Sequence, residues 1–507
     1  MGSDKRVGSL DERNPSLWVA TSGRMSLSAL DGHVATDVAV VGAGITGLTT
    51  ARLLSRAGRR VVVIDGGEVC AGVTGYTTAK VTALHSTIYS TLRQTWGDEV
   101  ATVYGTANQS AIVAVRELVK ADRIDCDLVD APAFTYAESE DATATIEAEV
   151  DAATHAGVPV TFTTQTDLPY PVAAAVRLDG QAQFHPRKYC LGLVDAIVRD
   201  GGSVFERTRA LHVDVDKARV VTDRGSIKAT SVVLATHLPF PEVGGYFARC
   251  APMRSYALAV ELGGGAQPGG MYISVDAPTR SIRSAPYGWI IVGGEGHKVG
   301  HDDDTVRRYE ALEAWARARF SLGSVGYHWS AQDYVSADHL PFIGRLSPGS
   351  ERVFVATGFG KWGMTNGTVA AMILTDLVQG IENPWAATFD STRVAIRQGI
   401  HGVVNENVDV VRRFVGDRIA AHAAPDIEDL DTGQGAVARL DGDTVAAFRD
   451  DDSQLHVVSK TCTHLGCTVM FNTAERSWDC PCHGSRFDVD GRMLQGPAVE
   501  DLATKER

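Results

Sequence analysis

Asp37-Val38-Ala39-Val40-Val41-Gly42-Ala43-Gly44-Ile45-Thr46-Gly47 opens the regular part of the chain. The β-branched run Val38 to Val41 reads as a strand, and the glycine turn after it opens directly into a helix expected from about Ile45 to Arg56. A second apolar run, Val61 to Ile64, completes a βαβ opening. The glycines Gly42, Gly44 and Gly47 answer three needs of such a turn: a tight bend, close approach of a pyrophosphate to the backbone, and packing of helix on strand. The helix N-terminus, at Ile45 and Thr46, adds a field that favours phosphate. Asp65, at the end of the second strand, is placed to accept hydrogen bonds from ribose hydroxyls. FAD and NAD both use this fingerprint. No second G-x-G-x-x-G follows, so a built-in pyridine-nucleotide domain is not expected.

Outward from this opening, the chain of 507 residues is long enough for two or three folding units. Residues 1–36 are polar and mixed, with only Leu17, Trp18 and Val19 able to dock, and are expected to be a decorative arm. Helices are expected over about 98–120, 140–156 and Tyr189 to Arg199, and strands at Tyr256 to Leu262, Ser281 to Arg283 and Trp289 to Val292. Because helices and strands interleave over 37–395, the cofactor and substrate subdomains should be assembled from discontinuous pieces. Val404, Val408, Val411, Val415 and Ile419 repeat at helical spacing, and Ala423 to Gln434 is acidic and broken by Pro425 and Gly433. Residues 396–434 therefore read as a docking helix and linker. Residues 435–507 carry short strands and turn signals such as Asp441-Gly442 and Asp490-Gly491, and read as a small all-β module.

A net charge of −14 disfavours nucleic acid or an anionic membrane as partner and leaves a small molecule or a redox protein. No apolar run approaches the length of a membrane span, and no signal peptide is evident, so a cytoplasmic location is expected. Of eight cysteines, Cys70, Cys126, Cys190 and Cys250 lie far apart, whereas Cys462, Cys467, Cys480 and Cys482 crowd near the C-terminus and suggest a metal before a disulfide scaffold.

On these motifs the body, over about 37–395, resembles the D-amino-acid oxidase and glycine oxidase superfamily of FAD-dependent oxidoreductases. The resemblance rests on the opening above, on Gly72-Val73-Thr74-Gly75-Tyr76-Thr77-Thr78-Ala79-Lys80, on Phe184-His185-Pro186 before a helix, and on Phe354 to Gly360. It implies an α/β fold in which a Rossmann-like FAD domain interleaves with an α+β substrate domain. It also implies FAD as cofactor, with Thr74, Thr77 and Thr78 passing over it and Gly358, Phe359 and Gly360 lying along the flavin. Thr365 and Asn366 are expected at the pyrimidine edge. Neither Cys nor His stands where relatives link the flavin covalently, so the FAD should be non-covalent. Lys80, Glu295, His297, Lys361 and Trp362 become the candidates to face flavin or substrate, with His85, Arg254, Tyr256 and Arg283 able to shape the pocket.

Cys462-Thr463-His464-Leu465-Gly466-Cys467 and Cys480-Pro481-Cys482-His483-Gly484-Ser485 bring two Cys-plus-His loops together. Two thiolates and two imidazoles suit a [2Fe–2S] cluster with both histidines on one iron. Zinc also takes Cys and His, but this pairing of C-x-H with C-P-C-H-G fits zinc spacing poorly. The loops are similar to the Rieske domain of cytochrome bc and b6f complexes. That resemblance implies Cys462, His464, Cys480 and His483 as cluster ligands and Cys467 and Cys482 as a disulfide pair. It implies, too, that Ser485 donates toward a cluster sulfide. Phe487 replaces a tyrosine donor, which lowers the expected potential. No helical two-His-one-carboxylate site for an oxygenase iron is found; Glu295-Gly296-His297 and His301 read as a solvated glycine-rich loop.

The expectation is a dehydrogenase: a small organic substrate, by family analogy an amine or amino acid, reduces FAD, and the cluster passes electrons singly to an external carrier protein or other acceptor. A reductase fed by a ferredoxin-like donor and a non-catalytic redox sensor are the alternatives.

Overall fold

The computed structural model describes residues 14–302, 304–393 and 424–505. The expected docking helix, Val404 to Ile419, lies outside the described residues. The βαβ opening forms as expected: Gly32–Val41 runs parallel to Val61–Ile64 in the register Val38↔Val61, with helix Ile45–Arg56 between them. The order across this first sheet is Ala210–Asp214, Arg219–Thr222, Gly225–Leu234, Gly32–Val41, Val61–Ile64, Ser203–Phe205, and Val353–Thr357 joins in parallel beside Gly225–Leu234. Val38 to Val41 and Val61 to Ile64 are all buried: Val38, Val40, Val61 and Val63 pack with helix Ile45–Arg56 on one face, and Ala39, Val41, Val62 and Ile64 pack with Ala210, Val213 and Val220 on the other. Helix Gly363–Gln379 packs on Ile45–Arg56 so closely that a Cβ at Gly367 would lie 2.6 Å from the Thr46 hydroxyl.

An eight-stranded mixed sheet carries the second subdomain, in the order Leu322–Ser336, Cys250–Leu262, Trp289–Lys298, Arg280–Ser284, Met271–Ser274, Ala133–Ala137, Ala174–Leu178, Val160–Thr163. Its pieces come from both sides of the segments that build the first sheet, which is the interleaving expected from sequence. Three expectations change. Residues before 37 are not decoration: the short helix Leu17–Ala20 is buried, Trp18 Nε1 donates to the Thr77 carbonyl at 2.6 Å, and the first strand begins at Gly32. Glu295, Gly296 and His297 are not in a loop, since strand Trp289–Lys298 runs through them against Cys250–Leu262. Residues 424–434 are less a linker than the edge of the C-terminal module, where Ile427 and Leu430 pack on Ala438, Val445 and Ala447.

That module is all-β, with a three-stranded sheet (Gly435–Leu440, Asp443–Arg449, Leu455–Val458) and a four-stranded one (Met470–Asn472, Ser477–Asp479, Arg486–Phe487, Met493–Gln495). It is seated on the body through buried polar contacts. Arg254 Nη2 meets Asp479 Oδ2 at 3.0 Å with both side chains almost wholly buried. Thr305 Oγ1 donates to Asn472 Oδ1 at 2.7 Å, and Tyr309 Oη to Glu475 Oε1 at 2.9 Å. No helix among the described residues is long and apolar enough to cross a membrane.

Candidate active site and metal centre

A cavity of about 1110 Å³ runs from the βαβ turn to the inner face of the eight-stranded sheet. At the first end Gly42, Gly44, Ile45, Thr46 and Asp65 line it, as do Thr74, Thr77 and Thr78. Only glycine fits at Gly42, whose φ is +111° and whose Cβ would lie 2.4 Å from the Ala235 carbonyl oxygen. Gly47 does not reach the cavity: its missing Cβ makes room for the Gly42 carbonyl, 1.9 Å away, and so lets helix and turn pack. A bare glycine cradle at a helix N-terminus fits a pyrophosphate. Asp65 first builds this loop, accepting the Ala43 N–H at 2.7 Å and the Gly67 N–H at 2.8 Å. Burial pushes its pKa up against those two hydrogen bonds. Each oxygen keeps a lone pair for a hydroxyl.

At the other end the turn Gly358 to Gly363 presents Phe359, Lys361 and Trp362 to the cavity, while Gly358 and Gly360 supply the positive φ values, +76° and +60°, that bend it. Lys80 also lines the cavity; its Nζ donates to the Tyr272 carbonyl and to Ser281 Oγ at 2.6 Å. Burial, and secondarily the Arg283 charge, pushes the Lys80 pKa down to about 7. Lys361, whose side chain is open to the cavity, is pushed down by partial desolvation against the cavity walls and up by Asp333, with the first effect the larger. Trp362 stacks on the buried ring of His85 at 4.5 Å, and burial holds that imidazole neutral with a pKa of about 3.

Besides Gly47, Gly358 and Gly360, four candidates fall outside the lining. On strand Trp289–Lys298 it is Gly293, Gly294 and Gly296 that line the cavity; Glu295, at a φ of +54° where the pairing with Cys250–Leu262 shifts register, and His297 turn to other partners. Glu295 pairs with Arg280 at 2.5 Å, and His297 meets the Tyr256 hydroxyl at 3.0 Å. Thr365 and Asn366 face a buried network behind the turn: Thr365 Oγ1 donates to the Thr82 carbonyl, and Asn366 Nδ2 donates to the Tyr104 hydroxyl and the Phe359 carbonyl. Of the pocket-shaping residues, Tyr256 lines the cavity, whereas Arg283 donates to the carbonyls of Thr78, Ala79 and Phe184 and pins the Gly72 to Lys80 segment from behind.

The cluster loops share one local design. Cys462 N–H donates to the Cys467 carbonyl and Gly466 N–H to the Cys462 carbonyl; Cys480 N–H donates to the Ser485 carbonyl and Gly484 N–H to the Cys480 carbonyl. Each loop turns on a left-handed glycine, Gly466 at +78° and Gly484 at +76°. Cys467 and Cys482 form a disulfide with Cα atoms 6.6 Å apart, which ties the loops together. Cys467, Cys480 and Cys482 crowd within ligand distance of one another, but two of these sulfurs are bonded to each other and offer no thiolate. Cys462 and Cys480 sit within hydrogen-bonding distance, and that bond holds the Cys462 thiol pKa down. The Nδ1 atoms of His464 and His483 face each other at 3.2 Å, and burial lowers both imidazole pKa values. A pair of thiols and a pair of neutral imidazoles, on two loops joined by a disulfide, fit a [2Fe–2S] cluster held through sulfur and Nδ1. Ser485 hydrogen-bonds toward the Cys462 sulfur, and Phe487 is buried in the module core.

What sequence reasoning missed is the strand between the two sites. In Leu322–Ser336, Gln332 Nε2 donates to the Gly484 carbonyl at 2.7 Å and Tyr334 Oη to the His483 carbonyl at 2.8 Å. Asp333 between them lines the cavity, where Oδ1 meets His237 Nε2 at 2.8 Å and Oδ2 accepts the Lys361 N–H. Arg254, expected in the pocket, instead fills the seam among Ser330, Gln332 and Asp479. These residues carry no motif, so only the alternation of an apolar strand with buried polar positions could have flagged them.

The family described as FAD dependent oxidoreductase matches residues 37–377, and the Rieske [2Fe-2S] domain family matches residues 421–506. A Bacillus subtilis (strain 168) protein, YhfW, named for a Rieske 2Fe-2S iron-sulfur protein, is 38% identical over 96% of both chains. The cytochrome b6-f complex iron-sulfur subunit 1 of Nostoc is 50% identical over 46 residues, only 26% of its own length. Among solved structures, a glycine oxidase from Geobacillus kaustophilus superposes with a TM-score of 0.62 at 19% identity, over 71% of this chain and 99% of that one. An L-proline dehydrogenase from P. horikoshii gives 0.58 at 18% identity, over 72% and 98%. At such identities the likeness is one of fold.

Proposed function

Since this chain belongs to the FAD dependent oxidoreductase family and carries a C-terminal Rieske domain, we propose that it is a dehydrogenase that oxidises a small amine or amino acid and delivers the electrons singly, by way of the cluster, to an external one-electron carrier. When bound, FAD supplies a two-electron acceptor and the cluster a one-electron carrier. The observation that carries this reading is the Gln332-Asp333-Tyr334 stretch, which touches the cluster loop through residues 332 and 334 and the cavity through residue 333.

The chain's own groups prepare the substrate. Tyr256, Ala257, Gly293 and Gly296 wall the substrate end together with Phe359 and Trp362, and the Trp362 plane is fixed by the neutral His85 ring behind it. An ammonium must lose its proton before a neighbouring C–H bond can give up hydride. Lys80 Nζ, with a pKa of about 7 and two fixed acceptors, is suited to hold that proton.

The test is an anaerobic screen of amines, amino acids and hydroxy acids that follows flavin absorbance and the paramagnetic signal of the cluster together. The expected result is bleaching by an amine or amino acid, followed by the cluster signal. Bleaching with no cluster signal, in protein shown to hold both cofactors, removes the electron-transfer half of the reading; no bleaching by any of the three classes removes the substrate half.

A further inference from the structure

The cavity has a wall that the oxidoreductase body does not supply. Its nucleotide end is lined by Asp65, Arg209 and His237 of the body and by Gln495, Pro497 and Val499 of the C-terminal module. Contacts on both sides fix where that module segment lies. Gln495 Nε2 is 3.0 Å from His237 Nδ1, and Arg209 Nη1 donates to the Val499 carbonyl at 3.3 Å and reaches Asp501 at 3.4 Å. Arg209 itself packs against Gly66, one residue past Asp65, and His237 stands two residues after the Ala235 carbonyl that presses on Gly42. The segment therefore bridges the two rims of the nucleotide crevice. It is tied to the metal centre as well: Ala498 N–H donates to Ser485 Oγ at 3.0 Å, and Ser485 hydrogen-bonds toward the Cys462 sulfur.

We infer that Gln495–Val499 is part of the FAD site, a cover over the nucleotide half of the cavity that the cluster-bearing module supplies and that must be seated for FAD to be retained. The segment offers the chemistry of a cover for base and ribose rather than for phosphate. Gln495 gives a neutral amide, Pro497 and Val499 an apolar surface, and the phosphate-favouring helix N-terminus is supplied by the body, at Ile45. The cover does not move alone, because the module is anchored by the buried Arg254–Asp479 pair and by the Gln332 and Tyr334 hydrogen bonds. Dissociation of FAD thus requires either local opening of residues 495–499 or unseating of the module, and both break several contacts at once. This inference needs FAD in the crevice but no particular direction of electron flow.

The experiment uses full-length holoprotein, with FAD release read as the rise of free-flavin fluorescence after dilution and cluster content read from its visible and paramagnetic signals. In the double variant Gln495→Ala/Asp501→Asn, release at least ten-fold faster than wild type is expected with cluster content unchanged. A cysteine pair at His237 and Gln495 provides the converse: the cross-linked form should release FAD at least ten-fold more slowly than the same protein uncross-linked. Release rates that stay equal in both comparisons, or a pair that will not cross-link, overturn the cover. Wild-type protein that retains no FAD overturns the crevice assignment along with it.

Discussion

The nucleotide crevice is shaped by backbone and by missing side chains, at Gly42, Gly44 and Ile45, whereas the cluster loops are shaped by side chains already converged, with His464 and His483 Nδ1 atoms 3.2 Å apart. A site of the second kind depends on each donor singly, and a site of the first kind depends on space. The two should fail differently when altered.

Cys480→Ser should abolish the cluster signal altogether while flavin content stays near wild type; loss of both from protein that remains folded would merge the two sites into one. Arg254→Met strikes the seam between them and leaves buried Asp479 with Arg486 as its remaining cation, a loss of roughly 1.5–3 kcal/mol in unfolding free energy. Denaturant unfolding followed by cluster and flavin signals reads it, and a change under 1 kcal/mol would deny the pair its anchoring role. At the substrate end Lys80→Met should lower kcat/KM by about a hundred-fold. Burial sets the Lys80 pKa near 7, so Nζ is a cation below that pH and able to accept a proton above it. The wild-type rate should rise with pH through about 7, and this limb should vanish in the variant. Gly47→Ala would force a Cβ against the Gly42 carbonyl, at a cost of roughly 1–3 kcal/mol, and should weaken FAD retention without changing the cluster signal. The smallest effect is expected of Tyr334→Phe, which removes one hydrogen bond to the His483 carbonyl, about 1 kcal/mol, and should shift the cluster midpoint potential while leaving FAD affinity unchanged.

The same contrast governs how much could be read before the fold was known. Motif residues whose roles are local, such as Gly42 and Gly47 in one turn or Cys462 and His464 in one loop, announce themselves by spacing, and the interleaved α/β body with its all-β module followed from strand and helix periods. The side chains around the cavity obey a different logic. Glu295 and His297 look catalytic beside Gly296, yet the strand shifts register at this point, and it is the glycines that border the cavity. Thr365 and Asn366 stand on a helix whose inner face is spent on His85, Tyr104 and Thr82. His237, Gln332 and Asp333 come from segments far apart in sequence and are joined only by sheet pairing and by module docking, so no local pattern marks them. Trp18 was legible as an apolar residue able to dock, but its partner, the Thr77 carbonyl, belongs to the folded body alone.

One wall of the crevice is made of residues that follow all the others in the chain, and this gives assembly a direction. A nascent polypeptide folding domain by domain presents the glycine turn, Asp65 and Arg209 as an open trough before residues 424–505 have emerged. The dinucleotide can enter from solvent during that interval, and the later-made module segment then closes behind it.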